Sequence, residues 1–364
     1  MSQAQTQSVN RQTQEIDETK LMNFIGKVVG DFGATMESVL TFMGDKLGFY
    51  KALAKYGPMN SEELAGKTNT TERYVREWLI NQASGGYIEY DPTLKKYFLP
   101  PEQAVALTDE ESPYFVGGGF QLVNSLVKAE ERICEGFKNG KGMLWGEHHH
   151  ELFEGTERFF RPSYIGNLIQ NWIPSMSGVK EKLDRGSNVA DIGCGHGAST
   201  IIMAKAFPNS KFFGFDNHEP SIKRANEIAM EEGLSDRVKF FVSGSADFPD
   251  NQYGFITFFD SLHDMGDPAA AIKRCKETLA KDGTVMIVEP MAGRTVEENF
   301  NPVGRVYSAA SVLCCTPNAI ASGGPALGTI ATDDKLQEVI NAGGLSKFKR
   351  ATENPFNRVF EAKV

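Results

Sequence analysis

One octapeptide constrains the fold of this chain more than any other feature. Asp191-Ile192-Gly193-Cys194-Gly195-His196-Gly197-Ala198 stands between a β-forming run and the start of an amphipathic helix. Its glycines allow a tight turn and close approach of backbone to a bound group, and the N–H groups opening the next helix are free to meet it. The chain around it repeats the same alternation. Short β-rich runs at 188–192, 211–215, 238–242, 254–259 and 284–289 are separated by helices starting near Ala198, Pro220 and Pro268. This pattern predicts an α/β fold with a parallel, doubly wound sheet and a ligand at the carboxyl ends of the strands. The aromatic and β-branched stretch 348–364 predicts a closing antiparallel hairpin.

Upstream the pattern changes. From about 40 to 107 it reads helix, helix, helix, hairpin. Ser61 precedes Glu62-Glu63-Leu64-Ala65 as an N-cap, and Thr70-Thr71 precedes Tyr74, Val75, Trp78 and Leu79 at helical spacing. Two β-prone runs, 87–90 and 96–99, then flank Asp91-Pro92-Thr93-Leu94. This is the outline of a winged helix. A DNA reader should be basic on its second helix, yet that helix carries Glu72, Glu77, Trp78, Leu79 and Ile80. The whole chain has a formal charge of −9, which also argues against a broad phosphate-binding surface.

The section from 111 to 184 reads as helical and aromatic, a linker that also supplies a lid over the sheet. The Gln-rich, polar start, 1–19, reads as a disordered tail. The expected organisation is therefore a tail (1–19), a winged-helix domain (20–110), a helical lid (111–184) and an α/β domain (185–364). No run approaches the roughly 20 apolar residues that span a bilayer. Five cysteines in 364 residues are too sparse for a disulfide framework and suit a reducing, cytoplasmic setting.

The glycine turn alone leaves two cofactors open. Gly193, Gly195 and Ala198 satisfy G-x-G-x-x-G/A, and Asp216 ends the next strand where a ribose-binding carboxylate belongs, in an NAD enzyme or a methyltransferase alike. Three further features favour S-adenosylmethionine. Asp191 precedes the first glycine by two residues, where a carboxylate can meet the cationic amino-acid end. Ser245-Ala246-Asp247-Phe248 follows the third strand, suited to an adenine. Phe258-Phe259-Asp260-Ser261-Leu262-His263-Asp264-Met265 closes the fourth.

Together with the run from Leu279 to Pro290, these segments resemble the successive motifs of class I S-adenosylmethionine-dependent methyltransferases. They are similar above all to the bacterial winged-helix methyltransferases of the mycobacterial type, related to the plant-type O-methyltransferases. The likeness extends to Asn301-Pro302-Val303-Gly304-Arg305-Val306-Tyr307. It implies a cofactor set of Asp191, Gly193, Gly195, Gly197, Asp216, Asn217, Ala246, Asp247, Phe248, Phe259 and Asp260. It also implies that the winged helix is a dimerisation module and the protein a homodimer. Leu262-His263-Asp264-Met265-Gly266-Asp267 resembles the L-H-D-W-x-D segment whose His is the general base in that family, with Met265 in place of the Trp. His263 falls on the base and Glu289 on its carboxylate partner. The bland reading is that His263 lines the cofactor cleft, as in N- or S-methylating relatives.

The acceptor, a small and fairly apolar molecule with an oxygen or sulphur to methylate, is expected against Phe153, Phe160, Tyr164, Trp172, Arg305 and Tyr307. His148-His149-His150 lacks further ligands at metal spacing and reads as a partly exposed helical patch, so no metal is expected. Cys314-Cys315 reads as buried small apolar residues. Two rival functions are a winged-helix regulator sensing S-adenosylmethionine and an NAD-dependent oxidoreductase. The weakly charged second helix counts against the first, and the lack of a Tyr-x-x-x-Lys or comparable hydride-transfer set counts against the second.

Overall fold

The computed structural model describes residues 16–364. Most of the expected tail, 1–15, lies outside the described residues, and Glu18 and Thr19 already belong to a 29-residue helix, α1 (Glu18–Lys46). Asp17 opens that helix by accepting from the Lys20 N–H, and Lys46 sits in its last turn, where a cation suits the carbonyl end. Three helices follow, α2 (Phe49–Tyr56), α3 (Ser61–Thr68) and α4 (Glu72–Ser84), then a hairpin of β1 (Glu89–Asp91) and β2 (Lys96–Phe98). The cap of α3 is Asn60, not Ser61: Asn60 accepts from the Glu63 N–H while the Glu63 side chain accepts from the Asn60 N–H. Ser61 is the first helical residue, and its hydroxyl turns to Glu72 instead. Phe49, Tyr50, Leu53, Leu64, Val75, Trp78 and Leu79 form the core of this unit.

The middle section is helical: α5 (Pro101–Thr108), α6 (Gly117–Leu126), α7 (Glu130–Asn139) and α8 (Glu151–Asn167). A π-helical turn at Leu168–Trp172, the single turn α9 (Ile173–Ser175) and α10 (Val179–Arg185) lead into the sheet. Helices α6 and α8 pack closely because glycines sit where they cross. A Cβ on Gly118 would lie 2.4 Å from the Arg158 backbone, and one on Gly155 2.8 Å from Leu122 N.

The α/β part contains β3 (Asn188–Ile192), α11 (Ala198–Ala206), β4 (Lys211–Asp216), α12 (Glu219–Glu231), β5 (Val238–Val242), β6 (Tyr253–Phe259), α13 (Pro268–Thr278) and β7 (Leu279–Pro290). It continues through α14 (Pro302–Ala310), a π-helical turn at Ser311–Cys315, α15 (Thr316–Ala321) and α16 (Asp333–Ala342) to a terminal hairpin, β8 (Lys347–Glu353) and β9 (Asn357–Lys363). The sheet order is β5-β4-β3-β6-β7-β9-β8, parallel from β5 to β7 and antiparallel at β9 and β8. This is the expected class of fold, a helical winged-helix part followed by a Rossmann-like sheet. Side chains from the two faces of the sheet enter two separate apolar cores. Strand order reverses beside β3, between its neighbours β4 and β6, so a crevice opens above the carboxyl end of β3. No helix among the described residues is long and apolar enough to cross a membrane.

Candidate active site

That crevice is part of a cavity of about 1660 Å³. Its floor is the glycine turn, lined by Gly193 and Gly195, whose φ of 73° and 52° lie in a region that L residues with a Cβ rarely occupy. The N–H groups of Gly193 and Cys194 both donate to Phe215 O, fastening the turn to β4. Gly195 N–H donates to Asp216 Oδ2 at 3.0 Å, and His218 N–H donates to Asp216 Oδ1 at 2.8 Å. The Asp216 carboxylate is thus oriented at the strand end with lone pairs left for a ligand. A Cβ on Gly195 would meet nothing within 4 Å, so the turn faces open space at that point. Asn217, Ala246, Asp247, Phe259 and Asp260 also line the cavity.

Four residues of the expected set stand elsewhere. Asp191 is buried beneath the start of α11, accepting from Ser199 Oγ and Thr200 Oγ1 at 2.6 Å each and from Thr257 Oγ1 at 3.1 Å. Burial raises its carboxyl to about 6 despite those hydroxyls. It braces the turn from below and does not line the cavity. Gly197 packs on the sheet: a Cβ there would sit 2.4 Å from the Phe240 ring. Phe248 is fully buried among Phe215 and Tyr253. Trp172 is buried behind Tyr164 and Phe259 and supports the wall without forming it. Bulky aromatic residues suit a core as well as a pocket, and residue type alone cannot separate the two.

His263 and Glu289 do meet. His263 lies in a 3₁₀ turn (Leu262–Asp264) after β6, Glu289 lies near the end of the adjacent β7, and Nδ1 stands 2.6 Å from Glu289 Oε2. Their side chains are 2% and 1% exposed, and His263 Nε2 has no hydrogen-bond partner. Burial alone would lower the imidazole, yet the carboxylate beside it holds His263 well above its ordinary range. Cys315, on the π-helical turn, sits against the same imidazole. Met265, the residue replacing the family's Trp, lines the cavity nearby.

The opposite wall is built from helices. Phe153, Phe159, Phe160 and Tyr164 come from α8, and Tyr307 and Leu313 from the insertion after β7. The Tyr307 hydroxyl is committed to Phe356 O at 3.0 Å. Arg305 is largely exposed and pairs with Asp31 of α1 at 3.3 Å. Within the expected lid, α6 and the 3₁₀ turn after it also contribute, through Phe120, Val123 and Val127, and sequence reasoning missed α1, through Asp31, Ala34, Thr35 and Ser38. It also missed His196, whose Nδ1 lies 2.9 Å from Glu157 Oε2. The run His148–His150 is not helical and none of the three lines the cavity; His148 is buried and the helix begins only at Glu151.

Charge distinguishes the two cofactors that the glycine turn left open. The cavity lining holds seven carboxylates, Asp31, Glu157, Asp216, Asp247, Asp260, Asp264 and Asp267, and one guanidinium, that of Arg305. Such a field suits a cationic sulphonium and opposes a pyrophosphate. The turn, the oriented Asp216 and this lining fit S-adenosylmethionine.

Residues 183–344 match the methyltransferase domain family, and residues 35–109 match the Rv2258c-like winged HTH domain. Among curated proteins, the tocopherol O-methyltransferase of Arabidopsis thaliana is 26% identical over 169 residues, covering 43% of this chain and 48% of that protein. The ubiquinone biosynthesis O-methyltransferase of Leptothrix cholodnii is 31% identical over 135 residues, covering 36% of this chain and 54% of that protein. The chain thus spans about half the length of these relatives. Among solved structures, human N-acetylserotonin methyltransferase in complex with SAM superposes with a TM-score of 0.67 at 15% identity, over 96% of this chain and 99% of that one. An O-methyltransferase family protein from Burkholderia thailandensis gives 0.70 at 14% identity, over 93% and 97%. With the fold, the cavity and both matches in agreement, residues 183–344 are a methyltransferase domain with the class I fold, preceded at 35–109 by an Rv2258c-like winged helix.

Proposed function

We propose that this methyltransferase moves the methyl group of S-adenosylmethionine to an oxygen of a bulky, largely apolar small molecule. The observation that carries the reading is His263 Nε2, buried and unpartnered, with Glu289 fixed behind Nδ1. When bound, S-adenosylmethionine supplies a methyl group already activated on a sulphonium. The chain has to hold donor and acceptor in contact and remove the acceptor's proton. Gly193 and Gly195 leave room for the donor's amino-acid end, Asp216 and Asn217 meet its ribose, and Ala246 and Asp247 flank its adenine. His263 takes the proton from the acceptor hydroxyl, and Glu289 fixes the tautomer and stabilises the imidazolium that results.

Several observations support oxygen and a large acceptor. A thiol ionises more readily and needs less help from a buried base. Two relatives are named as O-methyltransferases, one for tocopherol and one for ubiquinone biosynthesis. The cavity exceeds the roughly 300–1,000 Å³ usual for ligand sites, leaving space beyond the donor for more than a single ring.

The same reading makes the protein a homodimer joined through α1. Met22, Ile25, Val29, Phe32, Met36, Val39 and Met43 are all exposed and follow 3-4-3-4 spacing for three heptads. This is the seam pattern of a coiled coil, and a 29-residue helix is long enough to fill it with an identical partner. The helix expected to read DNA in other winged-helix proteins, α4, pairs its Arg73 and Arg76 with its own Glu77 and Glu72, which supports a role without nucleic acid. Five free cysteines suit a cytoplasmic setting.

Calorimetric titration with S-adenosylmethionine, S-adenosylhomocysteine and NAD tests the donor. Micromolar binding of the first two, lost in Asp216→Ala, is expected. Binding of NAD alone would overturn the reading.

A further inference from the structure

An α-ammonium group taken out of water calls for an ionised partner. The residue expected to meet that end of S-adenosylmethionine, Asp191, lies buried below the glycine turn with its oxygens taken by three hydroxyls. The other carboxylates of the cavity narrow the choice. Asp31 is paired with Lys27 and Arg305. Asp216 ends β4 with a backbone N–H on each oxygen, and Asp247 follows β5. Asp260, Asp264 and Asp267 stand after β6, in the segment that carries His263. Glu157 of α8 is the carboxylate left beside the glycine turn.

Glu157 shares a helix face with Phe153, Phe160 and Tyr164, and all four line the cavity. An acidic residue in the middle of an aromatic stripe is costly unless something meets its charge. Its one partner among the described residues is His196, whose Nδ1 stands 2.9 Å from Glu157 Oε2, the two side chains being 12% and 21% exposed. An ionised carboxylate only accepts, so the imidazole N–H donates. His196 sits between Gly195 and Gly197 and lines the cavity itself, so this bond ties the carboxylate to the cavity side of the turn. Glu157 Oε1 accepts no hydrogen bond among the described residues. Beside the pair, a Cβ on Gly195 would meet nothing within 4 Å, which leaves room for a ligand between the turn and α8.

We infer that Glu157 receives the α-ammonium group of the methyl donor on Oε1, and that His196 is a positioning residue that holds the carboxylate at the turn. This rests on S-adenosylmethionine as the donor in the reading above, and it moves the role expected of Asp191 to a residue of the helical lid. A pair that only tied α8 to the turn would favour no ligand over another. A carboxylate that receives the ammonium discriminates by the charge on the ligand.

Calorimetric titration of the full-length protein compares S-adenosylhomocysteine with its deamino analogue, which has a methylene in place of the ammonium-bearing carbon and keeps the adenosine, the sulphur and the carboxylate. The unaltered protein should bind the analogue about tenfold or more weakly, the size of one hydrogen bond between charged groups. Glu157→Gln, nearly the same shape without the charge, should weaken S-adenosylhomocysteine by about the same factor and leave the analogue's affinity in place. His196→Ala should act in the same direction, and His196→Asn, whose amide N–H takes the place of Nδ1, should restore part of the preference. Equal affinity of the unaltered protein for the two ligands overturns the proposal alone. So does Glu157→Gln protein that keeps the preference or weakens both ligands alike. His196→Asn protein no better than His196→Ala would remove His196 as the positioning residue. Binding of neither ligand by the unaltered protein overturns the donor reading along with the proposal.

Discussion

His263 is held above its ordinary pKa of 6.5 by Glu289, and this fixes the direction of the pH response. A base acts in its neutral form, so kcat/KM for a hydroxyl acceptor should rise with pH through a midpoint above 6.5. Glu289→Gln removes the charge that favours imidazolium, and the midpoint should move toward acid. A pH–rate profile that is flat, or a midpoint that stays in place in the variant, would exclude the pair as base and partner. His263→Ala should lower kcat for the hydroxyl acceptor by about 10²–10⁴-fold and affect a thiol acceptor far less. The likeness of Leu262–Asp267 to the L-H-D-W-x-D segment singled out His263, and only the family resemblance singled out Glu289 at the end of its strand; the fold sets the two side chains 2.6 Å apart. Asp191 was legible as important and misread in role. Its spacing from Gly193 says nothing of whether the carboxylate turns up to the cavity or down to the hydroxyls of Ser199 and Thr200.

At the scale of elements, the central strand β6 stood out as an apolar run buried on both faces, whereas the edge strand β5 was legible from its β-branched and aromatic residues, with Val238 and Phe240 buried and Lys239 and Phe241 exposed. Helix α1 was not legible. Gly26, Gly30 and Gly33 dilute its pattern, and its apolar stripe faces away from its own domain, so nothing in the neighbouring sequence answers it. The buried side of α1 is instead small and polar, with Thr41 near Gln82 and the Trp78 indole donating to Leu40 O at 2.8 Å. Substituting Phe32→Glu together with Met36→Glu should halve the mass seen by light scattering while the circular dichroism spectrum is kept. A particle of unchanged mass would remove α1 as the seam.

Over the whole molecule, the terminal hairpin is tied in by Arg358. It is fully buried and donates to Pro290 O at 2.8 Å, Ala331 O at 2.9 Å and Asp333 Oδ1 at 2.8 Å. One side chain thus joins β9 to the end of β7, to the insertion after it and to α16. Arg358→Met should destabilise the fold by about 2–6 kcal/mol, because two buried carbonyls lose a donor at about 1–3 kcal/mol each, while Asp333 keeps its pairing with Arg350. Scanning calorimetry that found an unchanged Tm would contradict this. The hairpin itself was readable from its β-forming residues; its anchoring was not, because Arg358 meets Ala331 and Asp333 only after α16 and the hairpin have folded back.

The two halves of the cavity come from different kinds of structure. On the function proposed above, the half that takes the donor is made of strand ends and the turns that follow them, where a shifted residue disturbs the sheet. The half proposed to take the acceptor is made of faces of α1, α6, α8 and the segment after β7, where one side chain can change size with the backbone left in place. Selection can therefore rewrite what is methylated many times over without touching how the methyl arrives. Descendants of one ancestral gene could diverge in the molecules they modify and still share the octapeptide from Asp191 to Ala198.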